Sequence, residues 1–152
     1  MLSILAFRVG ESRFGVRSAD VREVVRAVAL TPLAGAPAVI EGIFNWRGEI
    51  VSVLDLRKRF RLPPKPLSAD EHLVVIAGRR MRAFRADRVV EIAEVPEELA
   101  EAPASEKIAG VARTEDGLAV ILDLDAFLDE AESAALDSAL DALDALLESS
   151  RA

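Results

Sequence analysis

Short apolar runs, each closed by turn residues after ~8–12 positions, fill the first 125 residues and most constrain the fold. Residues 3–9 and 13–16 flank Gly10-Glu11-Ser12 and predict a hairpin. Residues 39–44 and 49–56 flank Asn45-Trp46-Arg47-Gly48, and 72–77 and 81–85 flank Gly78-Arg79-Arg80. Residues 87–92 lead to Val95-Pro96, and 108–113 pairs with 118–122 across an Asp116-Gly117 turn signal. Ser18 predicts the cap of a single helical turn, after which 24–30 reads as extended. Pro32, Gly35 and Pro37 mark a loop, and 56–60 a short helical turn. Pro63, Pro64 and Pro66 make the clearest linker, which places a lobe boundary near 62–70. The pattern predicts a small all-β barrel or a pair of them.

The end of the chain differs. From Asp125 onward the sequence reads as helical. Leu136, Leu140, Leu143 and Leu147 form one stripe at a period of ~3.6, beside Asp137, Asp141, Asp144 and Glu148. The stripe predicts a face packed on the domain or on a second copy. The expected organisation is one domain over 1–128 and a helix over 129–152.

The chain has 152 residues, no cysteine, no tyrosine and one histidine, His72. Thiol chemistry and Cys-based metal sites are excluded. The usual general base is nearly absent. Residues 1–90 carry 16 basic and 9 acidic side chains, whereas 91–152 carry 3 and 17, for a net charge of −7. An acidic balance argues against nucleic acid as a partner. The first residues do not read as a signal peptide, and no stretch approaches the ~18 apolar residues of a membrane span. A cytoplasmic protein without membrane insertion is expected.

Residues 40–57 hold the most specific signal. Asn45 and Gly48 tolerate positive φ and predict a four-residue turn with Trp46 and Arg47 at its tip. Trp beside Arg is enriched at interface hot spots; the alternative is a Trp folded back on its own sheet. This segment resembles the signature I-x-G-x-x-N-x-R-G-x-x-x-x-x-x-D-L-R of the CheW-like domain family of chemotaxis coupling proteins. Ile40, Gly42, Asn45, Arg47, Gly48, Asp55, Leu56 and Arg57 fill it. Residues 5–9 with 14–16 resemble the family's opening hairpin, 21–24 its next element, 87–92 its late D-x-V-x-x-V stretch, and 108–111 with 120–124 its last hairpin. The likeness covers roughly residues 3–128.

The resemblance implies two small five-stranded SH3-like β-barrels packed side by side, mainly β, with the C-terminal α-helix added. It implies a non-enzymatic adaptor without cofactor or metal, recruited to receptor arrays. The implied partners are the regulatory domain of a CheA-type histidine kinase and the cytoplasmic tip of chemoreceptors. Carried over by motif position, the partner-binding candidates are Val21, Glu23, Gly42, Asn45, Trp46, Arg47 and Gly48, with Glu23 and Arg47 as an exposed or half-exposed ion pair. An adaptor of a divergent chemosensory pathway, controlling surface motility, gene expression or second-messenger output, is the alternative. Ala83 and Arg85 depart from the family pattern, as does the short acidic stretch 94–107. For Arg85 this implies either a differently exposed strand or an altered partner surface.

Other candidates carry less. His72, beside Asp70 and Glu71, reads as a half-exposed strand residue rather than a ligand. Asp123, Asp125, Asp129 and Glu130 lack a Gly-centred cation loop and read as a solvated helix start. An acid hydrolase built on them is the remote alternative. Arg79, Arg80, Arg82, Arg85 and Arg88 read as a charged face that meets the chain's acidic half or an acidic partner.

Overall fold

A computed structural model describes residues 1–96, 107–115 and 117–150. The strands are β1 (Leu2–Val9), β2 (Ser12–Arg17), β3 (Val21–Arg26), β4 (Ile40–Trp46), β5 (Glu49–Leu54), β6 (His72–Ile76), β7 (Arg82–Ala86), β8 (Arg88–Val95), β9 (Ile108–Thr114) and β10 (Gly117–Leu122). The helices are α1 (Leu56–Arg59) and α2 (Glu130–Ser150). The strands form two five-stranded sheets side by side, ordered β8-β1-β2-β10-β9 and β3-β6-β7-β5-β4. The expected architecture, mainly β with two five-stranded units and a C-terminal helix, is the one adopted.

The division between the units is not where the Pro-rich segment suggested. β5 before that segment and β6 after it lie in the same sheet. The chain instead crosses to the second sheet through the turn Ser18–Asp20 and returns at Asp87. That turn is shorter than one α-turn, because Val21 already pairs with Ile76 in the sheet. Ser18 does not cap it; its hydroxyl donates to the Ser3 carbonyl at 3.1 Å.

Two buried arginines hold the Pro-rich segment. Arg57 donates a two-pronged pair to Asp87 at 3.0 and 2.8 Å, and its Nε donates to the Pro63 carbonyl at 3.0 Å. Burial alone would raise the Asp87 carboxyl, but the Arg57 bonds and the Gly10 amide at 2.7 Å hold it below its ordinary value. Arg85 is the second. It is buried, bonded to Glu71 and Glu41, and donates to the Lys65 carbonyl at 2.7 Å. Both readings of Arg85 are therefore corrected: it is neither exposed nor part of a partner surface. Ala83 beside it is fully buried. The departure at 94–107 falls largely on residues 97–106, outside the described residues.

The core explains why several strands read as unbroken apolar runs. Val51, Val53, Leu73, Val75 and Ala83 point into the second sheet's own interior, with Phe44. Their neighbours Leu54, Val74, Ile76 and Phe84 point the other way, into a cluster shared with Leu5, Phe7, Phe14 and Leu122 of the first sheet. Ile4, Ala112, Ala119 and Ile121 fill the first sheet's interior. Strands covered on both faces lose the polar half of the two-residue alternation. Ile43, Val51, Val53, Val74, Ile76 and Leu122 are buried. Val120 is only half-buried, because it packs at the margin of the shared cluster beside Phe60 and Leu62.

α2 begins at Glu130 rather than Asp125. Phe127, fully buried in the shared core, holds the preceding residues in turns. Asp129 and Glu132 then form a reciprocal cap, with Glu132 N donating to Asp129 at 2.7 Å and Asp129 N to Glu132 at 3.0 Å. The Asp123 carboxylate accepts from the Asp125 and Ala126 amides, a turn role rather than a cation site.

Leu136 and Leu140 are buried against Ile43, with Leu33, Ile40, Ile50 and Leu143 at the margin. Leu147 is 40% exposed, so the stripe docks through its first three members. Leu140→Asp is expected to destabilise the protein by roughly 2–5 kcal/mol, as removing a core leucine does. Denaturant titration checks this; an unchanged midpoint would mean the stripe does not hold α2.

Candidate partner-binding site

The turn between β4 and β5 is tighter than its four-residue reading. Trp46 pairs with Glu49, which leaves a two-residue loop of Arg47 and Gly48. Their φ values are 52° and 83°. Both lie in the left-handed region that such hairpin turns demand. Arg47, not Asn45, therefore occupies the strained position. Asn45 stays on the strand, and its side-chain oxygen accepts the Gly48 amide at 3.0 Å. A non-glycine residue held at positive φ beside exposed Trp and Arg atoms is the kind of strain that collects at functional sites.

β3 and β4 are the two edges of the second sheet, and the candidate residues join them. Glu23 on β3 accepts, on the single atom Oε1, the Trp46 indole N–H at 2.7 Å and Arg47 Nε at 3.0 Å. Arg47 Nη2 also lies 3.0 Å from that oxygen. The guanidinium carbon sits 5.4 Å from the Trp46 ring centroid. That is within cation–π range. The Arg47 bond and then the Trp46 bond hold the Glu23 carboxyl below its ordinary value. Glu23 in turn raises the Arg47 guanidinium. The expected Glu23–Arg47 pair is thus present, with side chains 35% and 70% exposed. So exposed a pair contributes little to stability.

Trp46 folds back on its own sheet and is half-buried. Its ring packs with Val25, Leu30 and Met81 over the second sheet's interior, while its N–H and one face serve Glu23 and Arg47. Val21 is half-buried against the shared core, two positions before Glu23 on β3. Gly42 must be corrected: it is buried and offers a partner no surface. A Cβ there would lie 2.9 Å from the Thr31 carbonyl and 3.0 Å from Leu30 Cβ. Glycine lets residues 30–31 close over β4, where Thr31 and Ile43 exchange backbone bonds of 2.9 and 2.8 Å. Gly42→Ala is expected to destabilise by roughly 1–3 kcal/mol, as overpacking does. A thermal melt checks it, and an unshifted transition would refute the close approach.

The remaining basic residues do not form one face. Arg79 and Arg80 meet aspartates of α2, as a charged face turned toward the acidic half would. Arg82 donates to the Leu124 carbonyl at 3.1 Å, and burial lowers its guanidinium below the ordinary value. Arg88 is exposed. A cleft lies between the two sheets and α2, with Arg17, Asp20, Arg82, Leu124 and Leu136 among its lining. Sequence reasoning did not find it, since its walls come from separated segments of the chain. His72 is half-buried at the head of β6, opposite Arg26 and Ala86.

The chain is similar to known proteins over most of its length. Residues 3–132 match the family model described as the CheW-like domain. The "Chemotaxis protein CheW" of Treponema pallidum (strain Nichols) is 31% identical over 133 residues, covering 80% of this chain and 78% of that protein. "Protein FrzA" of Myxococcus xanthus is 37% identical over 91 residues, covering 59% of this chain and 57% of that protein. The crystal structure of the scaffolding protein TtCheW from Thermoanaerobacter tengcongensis superposes with a TM-score of 0.73 at 30% identity, covering 81% of this chain and 84% of that one.

Proposed function

The chain belongs to the CheW-like domain family, and from that premise we propose that it is a chemosensory adaptor. It joins the cytoplasmic tip of chemoreceptors to the regulatory domain of a CheA-type histidine kinase. The observation that carries the reading is the Glu23–Trp46–Arg47 cluster on the signature turn: tied together by hydrogen bonds, with Arg47 at positive φ and its side chain 70% exposed. Tight turns and a shared acceptor oxygen fix the charged and aromatic groups before a partner arrives, which lowers the entropy lost on binding. Glu23, Asn45, Trp46, Arg47 and Gly48 make the contact surface, Val21 supports it from the strand, and Gly42 shapes it from beneath.

The role is binding, not catalysis, and needs no metal or cofactor. No helix among the described residues is long and apolar enough to cross a membrane. The protein acts in the cytoplasm and reaches the membrane by joining receptor arrays. The match to Protein FrzA, a relative not named for chemotaxis, supports a second reading: an adaptor of a chemosensory pathway with another output.

Co-purification of the full chain with kinase regulatory domains and receptor-tip fragments tests the proposal. Capture of both partners is expected. Capture of neither would overturn the adaptor reading, and the kinase that is retained separates the two pathways.

A further inference from the structure

Three arginines stand side by side across the first sheet. Arg8 on β1 lies directly opposite Arg13 on β2 and directly opposite Arg88 on β8. Residues so opposed share a face of the sheet, with Cβ atoms ~4.5–5.5 Å apart, and like charges in that arrangement destabilise it. Elsewhere in the protein a carboxylate offsets each close guanidinium: Arg57, Arg59, Arg80 and Arg85 all meet one. Arg8 is different. It is half-buried, and its Nε is buried without a hydrogen-bond partner among the described residues.

The row closes one end of the first sheet's own interior. Leu5, Phe7 and Val9 of β1 turn to the shared core, so Ile4, Ala6 and Arg8 alternate onto the other face, where Ile4 fills the interior. Glu91 lies opposite Ala6 on that same face, one step from the row. Its Oε1 is also buried without a hydrogen-bond partner among the described residues. Asp87, beside Arg88 in the chain, is already held by Arg57 and the Gly10 amide. Setting Glu91, or any other carboxylate, against Arg13 still leaves the two charges of Arg8 and Arg88. Guanidinium forks match the oxygens of an oxyanion. A carboxylate would supply one charge and two oxygens. A phosphate monoester supplies nearly two charges and three strong acceptor oxygens, which fits two guanidinium groups.

We propose that Arg8 and Arg88, flanked by Arg13, form a binding site for the phosphate group of a small phosphorylated ligand, with Arg8 at its centre. The site lies on the opposite sheet from the Glu23–Trp46–Arg47 cluster and does not draw on the adaptor reading.

Titration calorimetry of the full chain with pyrophosphate at constant ionic strength tests this. Saturable binding is expected for wild type, weakened at least about tenfold in Arg8→Gln, the effect of losing charged hydrogen bonds. Thermal melts give a second readout. In low salt without phosphate, Arg8→Gln should melt no lower than wild type, because the substitution relieves like-charge repulsion. Pyrophosphate should raise the wild-type transition and leave that of the variant in place. A lower ligand-free transition in Arg8→Gln would make Arg8 a structural residue and overturn the proposal. So would equal heats from acetate, which would show an unselective cationic patch. Binding to phosphatidylglycerol vesicles without any response to pyrophosphate would assign the row to a membrane surface and overturn it too. Should the variant not fold, NMR of the arginine Nε–H groups in wild type decides. The Arg8 and Arg88 signals should shift with pyrophosphate while those of Arg57 and Arg85, already paired, hold still. No shift, or equal shifts at all four, would overturn the site.

Discussion

Arg85→Met is expected to destabilise the fold by about 3–5 kcal/mol at neutral pH, the usual effect of removing one partner from a buried ionic cluster. Arg85 is 6% exposed, Glu71 2% and Glu41 16%. The guanidinium donates to both Glu71 oxygens at 2.6 and 3.1 Å and to Glu41 at 2.9 Å. Methionine fills much of the volume, so the loss comes from Glu41 and Glu71 losing their shared guanidinium, with Lys65 at 3.9 Å the cation left beside Glu71, and from the freed Lys65 carbonyl.

The deficit should depend on pH. Burial, then Asp55, hold the Glu41 carboxyl above its ordinary value, while Arg85 opposes the rise. A carboxyl raised in the folded state binds its proton more tightly there than in the unfolded chain. It therefore lowers stability above its folded pKa, and that loss vanishes below its unfolded pKa. Without Arg85 the folded value moves up further, so the difference between variant and wild type should shrink on acidification from neutrality. Urea titrations at several pH values check this. Adding Glu41→Gln and Glu71→Gln should recover part of the loss at neutral pH. A deficit below about 1 kcal/mol, within the range of an exposed pair, would show that the cluster is not a buried balance.

Arg47→Glu is expected to weaken binding of receptor tips and kinase regulatory domains by roughly ten- to a hundredfold, a hot-spot effect, with little change in melting temperature. The side chain is 70% exposed, so its loss leaves no cavity. The new carboxylate would repel Glu23 and reverse the charge presented at the turn. Arg47→Gly is the sharper control. Glycine adopts the 52° φ of this position without strain and keeps the turn, but removes the guanidinium. It should bind as poorly as the glutamate variant. Glu23→Arg/Arg47→Glu should restore the local pair without restoring binding, since a partner reads the original orientation. Titration calorimetry decides. Wild-type affinity in Arg47→Glu would remove the functional role of this turn, and failure to fold would make Arg47 structural.

Much of this site was legible in advance. The N-W-R-G turn and the strand positions around it follow from residue spacing, and the Glu23–Arg47 pair from the family likeness alone. The positive φ at Arg47 did not, because an Asn nearby is the more usual bearer of that conformation. Gly42 was misplaced for a similar reason. A glycine in a signature segment is equally compatible with exposure and with a close backbone approach, and only the position of Thr31 decides between them. The two readings of Arg85 both failed because its partners, Glu41 and Glu71, lie 44 and 14 residues away along the chain.

Neighbours within a few residues set the kinds of element, most of their limits, the tip of the first signature hairpin and the leucine stripe of α2. Turn chemistry, two-residue or helical periodicity and caps are all local, so the chain could be read for them directly. Which strands share a sheet came from the folded molecule alone. β1 pairs with β8, Leu5 opposite Ile92, and β10 runs parallel to β2. Local pattern could not choose these partners, because the central strands are apolar on both faces and present the same pattern to either sheet. The Pro-rich segment looked like a boundary for that reason. It is a surface loop within one sheet, held by Arg57 and Arg85 through contacts that exist only once distant strands have met.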